Sequence, residues 1–162
     1  MINLFRSFKY AASGFLFCAR YERNMRIHII VTLYLLYFSR FYELTRAEVI
    51  LLIITCVSVM TLEMLNTSIE VIVDKVSPRY HTLAKIAKDA AAGAVLVASA
   101  AAVIIGILLF WDMVIFGEII SYFAGRIINL IAFIISIILA FVFILSGKQR
   151  KKRPIQKSEE KQ

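Results

Sequence analysis

The sequence predicts an all-α integral membrane protein, a surface helix followed by four membrane-crossing helices, and three observations lead there. Of the 162 residues, 60% are hydrophobic and 19% charged, with a mean hydropathy of +0.79. A soluble domain of this size could not hide so much apolar surface. The apolar residues also come in long blocks. Residues 90–111 and 127–146 each run without a charge for about twenty residues, the length a helix needs to cross the hydrocarbon core. Finally, most of the Lys and Arg residues that give the formal charge of +8 fall into segments that would share one side of the membrane.

The elements follow in order. Leu4, Phe5, Phe8, Ala11, Ala12, Phe15, Leu16 and Ala19 recur at three- and four-residue steps, with Arg6, Lys9, Ser13 and Arg20 away from them. That spacing predicts an amphipathic helix lying in the membrane interface. A signal peptide is the poorer reading, because the apolar segment between Lys9 and Arg20 is short and no small-residue cleavage site follows it. Residues 27–44 form a first span with Arg40 and Glu43 near one end, and residues 49–73 a longer second span. In the third, Ala90, Ala94, Ala98, Ala102 and Gly106 recur every fourth residue, so one face has almost no bulk and suits close packing. Residues 1–116 read as one membrane domain, 117–147 as an additional transmembrane helix, and 148–162 as a disordered basic tail.

Topology follows from the basic residues. Arg6, Lys9, Arg20, Arg23 and Arg26 precede the first span; Lys75, Arg79, Lys85 and Lys88 fill the second connection; Lys148, Arg150, Lys151, Lys152 and Arg153 open the tail. Both termini are expected in the cytoplasm. Cys18 and Cys56 give neither a disulfide framework nor a metal-binding spacing. No nucleic-acid partner is expected.

The second span carries an anomaly. Glu63, Asn66, Glu70 and Asp74 stand at steps of three, four and four, which places them in one stripe along a helix. An uncompensated charge near the bilayer centre costs roughly 2.5 to 3.5 kcal/mol or more, so such a stripe marks a functional site by default. Glu22 and the connection from Asp74 to Asp89 lie on the same side. Carboxylates with Lys and Arg at a membrane surface suit a metal nucleotide, since Mg²⁺ takes one or two carboxylates together with phosphate oxygens. The six glycines form neither a Walker A pattern nor a kinase glycine loop. On these residues alone, an ion pathway or buried interhelical contacts stand beside catalysis.

Glu63-Met64-Leu65-Asn66-Thr67-Ser68-Ile69-Glu70-Val71-Ile72-Val73-Asp74, with Tyr80-His81 and Ala87-Lys88-Asp89, resembles the signature of prokaryotic diacylglycerol kinases and their undecaprenol kinase relatives. Ser7-Phe8-Lys9-Tyr10-Ala11 with Gly14, and Glu22-Arg23-Asn24 with Arg26-Ile27-His28, extend the resemblance over roughly residues 3–112. It implies a small trimeric lipid kinase with an interfacial helix and three spans per subunit, which leaves the fourth span as an addition. It also implies that Glu63 is the catalytic base and that Glu22 and Glu70 hold Mg²⁺ on ATP. Lys88 would neutralise phosphate charge, Asn66 would orient groups between base and metal, and Tyr10, Arg79, Tyr80, His81 and Asp89 would surround the nucleotide. Asp74 lies adjacent. An arginine near the start of the family's interfacial helix has no secure counterpart, Asn3 standing in its place with Arg6 close by. The Glu22–His28 and Phe8–Tyr10 segments look more like the family's Gram-positive type, whose members are often undecaprenol kinases, so undecaprenol is the expected acceptor and diacylglycerol the alternative. An oligomeric proton or cation transporter is the alternative from a different class.

Overall fold

A computed structural model of the protein describes residues 4–77 and 81–147. Among these residues all regular structure is helical: α1 (Leu4–Tyr21), α2 (Arg23–Phe38) ending in a single 3-10 turn (Ser39–Phe41), α3 (Arg46–Val76), α4 (Thr82–Phe110), α5 (Met113–Ala124) and α6 (Ile127–Leu145). The tail expected to be disordered, 148–162, lies outside the described residues.

Three helices, α3, α4 and α6, are long and apolar enough to cross a membrane. The expected first span is shorter: α2 has 16 residues, about 24 Å, and its terminal 3-10 turn adds about 6 Å. Together they reach the roughly 30 Å of a hydrocarbon core. The additional segment expected over residues 117–147 is divided. α5 starts earlier, at Met113, where the Asp112 side chain accepts hydrogen bonds from the backbone N–H groups of Val114 and Ile115. It stops at Gly125, and the crossing helix begins only at Ile127.

The packing is built on the α3–α4 hairpin, whose contact is the most extensive in the chain. Ala98, Ala102 and Gly106 of the small-residue face are half-buried, whereas Ala90 and Ala94 remain exposed. α2 packs against α3 and α6, and α1 folds back on α2 and α3. An aromatic cluster ties the additional segment to α2: Phe123 of α5 stacks on Phe133 of α6 at 4.6 Å, and both rings meet Phe38 at 6.0 to 6.4 Å. Deeper along the same contact the hydroxyls of Tyr34 and Ser136 meet at 3.1 Å.

The contacts also sort the two ends of the bundle. The α1–α2 corner, the end of α3, the start of α4 and the end of α6 gather at one end. Residues 38–45, the end of α4 and α5 gather at the other, where the Tyr42 hydroxyl donates to the Phe110 carbonyl at 3.0 Å. There α3 opens with a capping box: the Thr45 hydroxyl accepts from the Glu48 backbone N–H, and the Glu48 carboxylate accepts from the Thr45 backbone N–H at 2.7 Å. Thr45→Ala is expected to lower stability by about 1 kcal/mol through loss of that cap. Thermal unfolding in detergent checks it, and activity in membranes should survive because Thr45 lies at the opposite end from the acidic stripe.

Candidate active site

α3 sets the depth of the site. Its 31 residues extend about 46 Å, about 16 Å more than the hydrocarbon core, so part of the helix must stand clear of the membrane. Residues 49–62 carry no charge while Glu70, Asp74 and Lys75 cluster towards the other end, so the surplus belongs at the C-terminal end. With the core filled by roughly the first twenty residues of α3, Glu63 falls just inside the boundary between hydrocarbon and headgroups. Glu70 and Asp74 lie beyond it, where water reaches.

Glu63 is only 2% exposed. Its burial comes from three elements, because the stripe of α3 is covered by the α1–α2 corner. The Asn24 side chain of α2 stands near enough to the Glu63 carboxylate to favour its charged form, and the charges of Glu22 and Glu70 are close enough to act on it. Beside it, the Thr67 hydroxyl, buried one turn further on, donates to the Glu63 carbonyl at 3.0 Å and makes a hydrogen bond with Cys18 of α1. Two oxygens are left buried without a hydrogen-bond partner among the described residues, Glu63 Oε2 and Asn66 Oδ1. Both are acceptors held a turn apart on one face. An arrangement that strands two acceptors is suited to something that brings donors or positive charge, such as a hydroxyl or a metal-bound water.

Glu22 is the residue at which the chain turns from α1 into α2. Its φ and ψ of −102° and 121° are extended, so it breaks the helix and stands at the N-cap of α2. Its position thus depends on how the corner is held. Among the described residues no group of three or more His, Cys, Asp and Glu side chains could hold a metal alone. The pair Glu22 and Glu70 suits Mg²⁺ better than a metal that needs a full protein cage, since Mg²⁺ is content with one or two carboxylates beside phosphate and water.

The remaining candidates are spread out. Lys88 of α4 is turned to Asp74, Nζ to Oδ1 at 2.9 Å, with the side chains 33% and 45% exposed. Asp74 thereby has a structural partner that tethers the end of α3 to the start of α4. Tyr10 is exposed on α1, about 18 Å along the helix from Glu22. His81 precedes α4 as an exposed N-cap without a side-chain capping bond, and Asp89 is exposed beside Lys88. Arg79 and Tyr80 lie outside the described residues. A single chain therefore brings together Glu22, Glu63, Asn66 and Glu70 and leaves Tyr10, His81 and Asp89 on its surface. Three residues of the site were not singled out from the sequence: Asn24, Thr67 and Cys18. Thr67 was the most accessible, since it stands four residues after Glu63 and must share its face.

A membrane bundle with a buried carboxyl at the headgroup boundary and two further carboxylates above it defines a class of helical membrane proteins with an acidic interfacial site. The match to the family model described as prokaryotic diacylglycerol kinase covers residues 9–110, and the chain belongs to that family. It is 46% identical over 105 residues to a diacylglycerol kinase of Synechocystis sp., covering 64% of this chain and 60% of that protein. It is 41% identical over 108 residues to an undecaprenol kinase of Bacillus subtilis, covering 67% of this chain and 88% of that protein. A diacylglycerol kinase of Escherichia coli K12 is 44% identical over 63 residues, 39% of this chain and 52% of that protein. α5 and α6 lie beyond the residues matched by the family.

Two measurements check this geometry. Burial pushes the Cys18 thiol above its ordinary range, so folding favours the neutral form. The associated stability is fully present below the ordinary thiol titration and is lost as pH rises from there through the raised titration of the buried thiol. Since the thiolate is the nucleophile, maleimide labelling of Cys18 at neutral pH is expected to be slower than that of free cysteine, and an equal rate would place the thiol in water. Asp74→Asn, which removes a solvent-screened pair, is expected to change stability by less than about 1 kcal/mol in a thermal melt.

Proposed function

We propose that the chain is an ATP- and Mg²⁺-dependent lipid kinase of a bacterial inner membrane, acting on undecaprenol to form undecaprenyl phosphate. The observation that carries the reading is the buried, unpartnered Oε2 of Glu63 at the depth where a lipid headgroup hydroxyl sits. A carboxylate there has no donor of its own to spare and can accept the proton of a hydroxyl brought to it.

In this reading the lipid oxygen forms its bond to the γ-phosphorus of ATP as the bond from that phosphorus to the β–γ bridging oxygen breaks. The hydroxyl proton passes to Glu63, and ADP leaves. Glu22 and Glu70 would hold Mg²⁺, which would neutralise phosphate charge; the protein's own task is positioning. Asn24 keeps the Glu63 carboxylate in place, and Asn66 orients what enters between base and metal. Lys88 needs only to exchange Asp74 for a phosphate oxygen, which a solvent-screened pair permits at small cost. Both termini lie in the cytoplasm, with ATP entering from that side.

The surface positions of Tyr10, His81 and Asp89 support assembly as a homotrimer, in which a neighbouring copy completes the nucleotide site. The second reading of the acceptor, diacylglycerol phosphorylated to phosphatidate, is favoured by the 46% identity to the Synechocystis diacylglycerol kinase. The proton or cation transporter finds no support, because the family and the relatives matched all bear kinase names.

The experiment is transfer of labelled γ-phosphate from ATP to a panel of lipid alcohols by purified protein in defined lipid. Undecaprenol is expected to be the fastest acceptor. Faster turnover on diacylglycerol overturns the acceptor, and absence of any labelled lipid overturns the kinase. Glu63→Gln should lower turnover by about 10²- to 10⁴-fold while nucleotide binding persists. Glu70→Gln should instead weaken binding of the metal nucleotide.

A further inference from the structure

Arg26 is 5% exposed, a cation buried one helical turn after Glu22. Its guanidinium donates, through Nε and Nη1, to backbone carbonyls at helix ends. Nη1 donates to the Arg20 carbonyl at 3.0 Å and approaches that of Ala19 at 3.5 Å, both in the last turn of α1. Nε donates to the Ile144 carbonyl at 3.1 Å, in the last turn of α6. Carbonyls in a last helical turn have no intrahelical partner, and the C-terminal end of a helix attracts positive charge. One side chain thus caps two helices, one of which, α6, lies beyond the residues matched by the family.

The end of α6 is shaped to that contact. Ser146 serves the neighbouring carbonyls, its N–H donating to Val142 and its hydroxyl to Phe143 at 3.1 Å, which leaves Ile144 for Arg26. Gly147 then passes directly against the guanidinium, and a Cβ at that position would overlap Nη1, Nη2 and Cζ. The obstacle is the far end of a flexible side chain, so an alanine would displace the guanidinium and leave the backbone where it is.

We infer that Arg26 is a positioning residue through which α6 fixes the α1–α2 corner and with it the metal-binding carboxylate of Glu22. The inference rests on the kinase reading for the role of Glu22. Its structural half stands alone: freeing the carbonyls of residues 19 and 20 loosens the last turn of α1, where Cys18 is buried. The additional helix is therefore a working part of the site, attached to it by the hydrogen bond from Arg26 to the Ile144 carbonyl in its last turn.

The test uses full-length protein in membranes, with Gly147→Ala, Arg26→Lys and the double variant, all in a Cys56→Ala background. Gly147→Ala is expected to speed maleimide labelling of Cys18. It should also raise by about tenfold the Mg²⁺ concentration for half-maximal lipid phosphorylation, with turnover at saturating Mg²⁺ retained. Arg26→Lys, whose single ammonium cannot span both helix ends, should do the same, and the double variant should add little because both substitutions break one contact. Unchanged labelling in both single variants overturns the clamp. Faster labelling with an unchanged Mg²⁺ requirement reduces it to a structural cap and overturns the positioning role, as do additive effects. If the parent protein phosphorylates no lipid alcohol, the kinase reading fails and the positioning role with it, while the labelling rates still decide the clamp.

Discussion

A carboxyl group set just inside the hydrocarbon boundary cannot be left against lipid, and the arrangement of the other helices answers that constraint on Glu63. α1 lies over it with Cys18, α2 reaches it with Asn24, and Thr67 closes the face of α3 on which it stands. Without the α1–α2 corner the acidic stripe would face lipid, where each charge is expensive. With the corner, Glu63 is enclosed and yet keeps one oxygen without a hydrogen-bond partner. The same enclosure explains why the chain turns at Glu22: a straight continuation of α1 would carry both the cover and the carboxylate away from α3.

Backbone accounting governs the rest. In lipid every carbonyl and N–H must be satisfied within the protein, and the ends of helices are where this is hardest. Three of the side-chain solutions differ in reach: Thr45 and Glu48 at the start of α3, Asp112 at the start of α5, and Arg26 at the ends of α1 and α6. The first two are local and serve one helix each. The third is long-range, and through it a helix outside the family's matched residues touches the corner that bears Glu22.

Much of this was legible in the sequence because periodicity is a local property. The amphipathic face of residues 4–19 gave α1, and the steps between Glu63, Asn66, Glu70 and Asp74 gave their shared face. What could not be read were the contacts that depend on where helices cross. Arg26 and Ile144 are 118 positions apart, and nothing in either neighbourhood announces the pairing. Asn24 looked like part of a motif and proved to stand near Glu63. The division of residues 117–147 was hidden for a different reason: the segment is strongly apolar on both sides of Gly125-Arg126, so this short interruption does not stand out as the break between a 12-residue helix and a 19-residue one. The resemblance groups Tyr10, His81 and Asp89, but their dispersal over the surface of the chain is a matter of tertiary position that spacing does not encode.

The unequal helix lengths carry a mechanical consequence. α2 and α6, with 16 and 19 residues, are shorter than α3 and α4, with 31 and 29. The surplus of α3 and α4 holds Glu70, Asp74, Lys75, Lys85, Lys88 and Asp89, so the helices match one hydrocarbon thickness and differ in how far they project from it. The two long helices thus form a ledge above the membrane on the side of the acidic stripe, beside the lower ends of α2 and α6. A lipid headgroup at the foot of that ledge and a solute from the water meet at the same level.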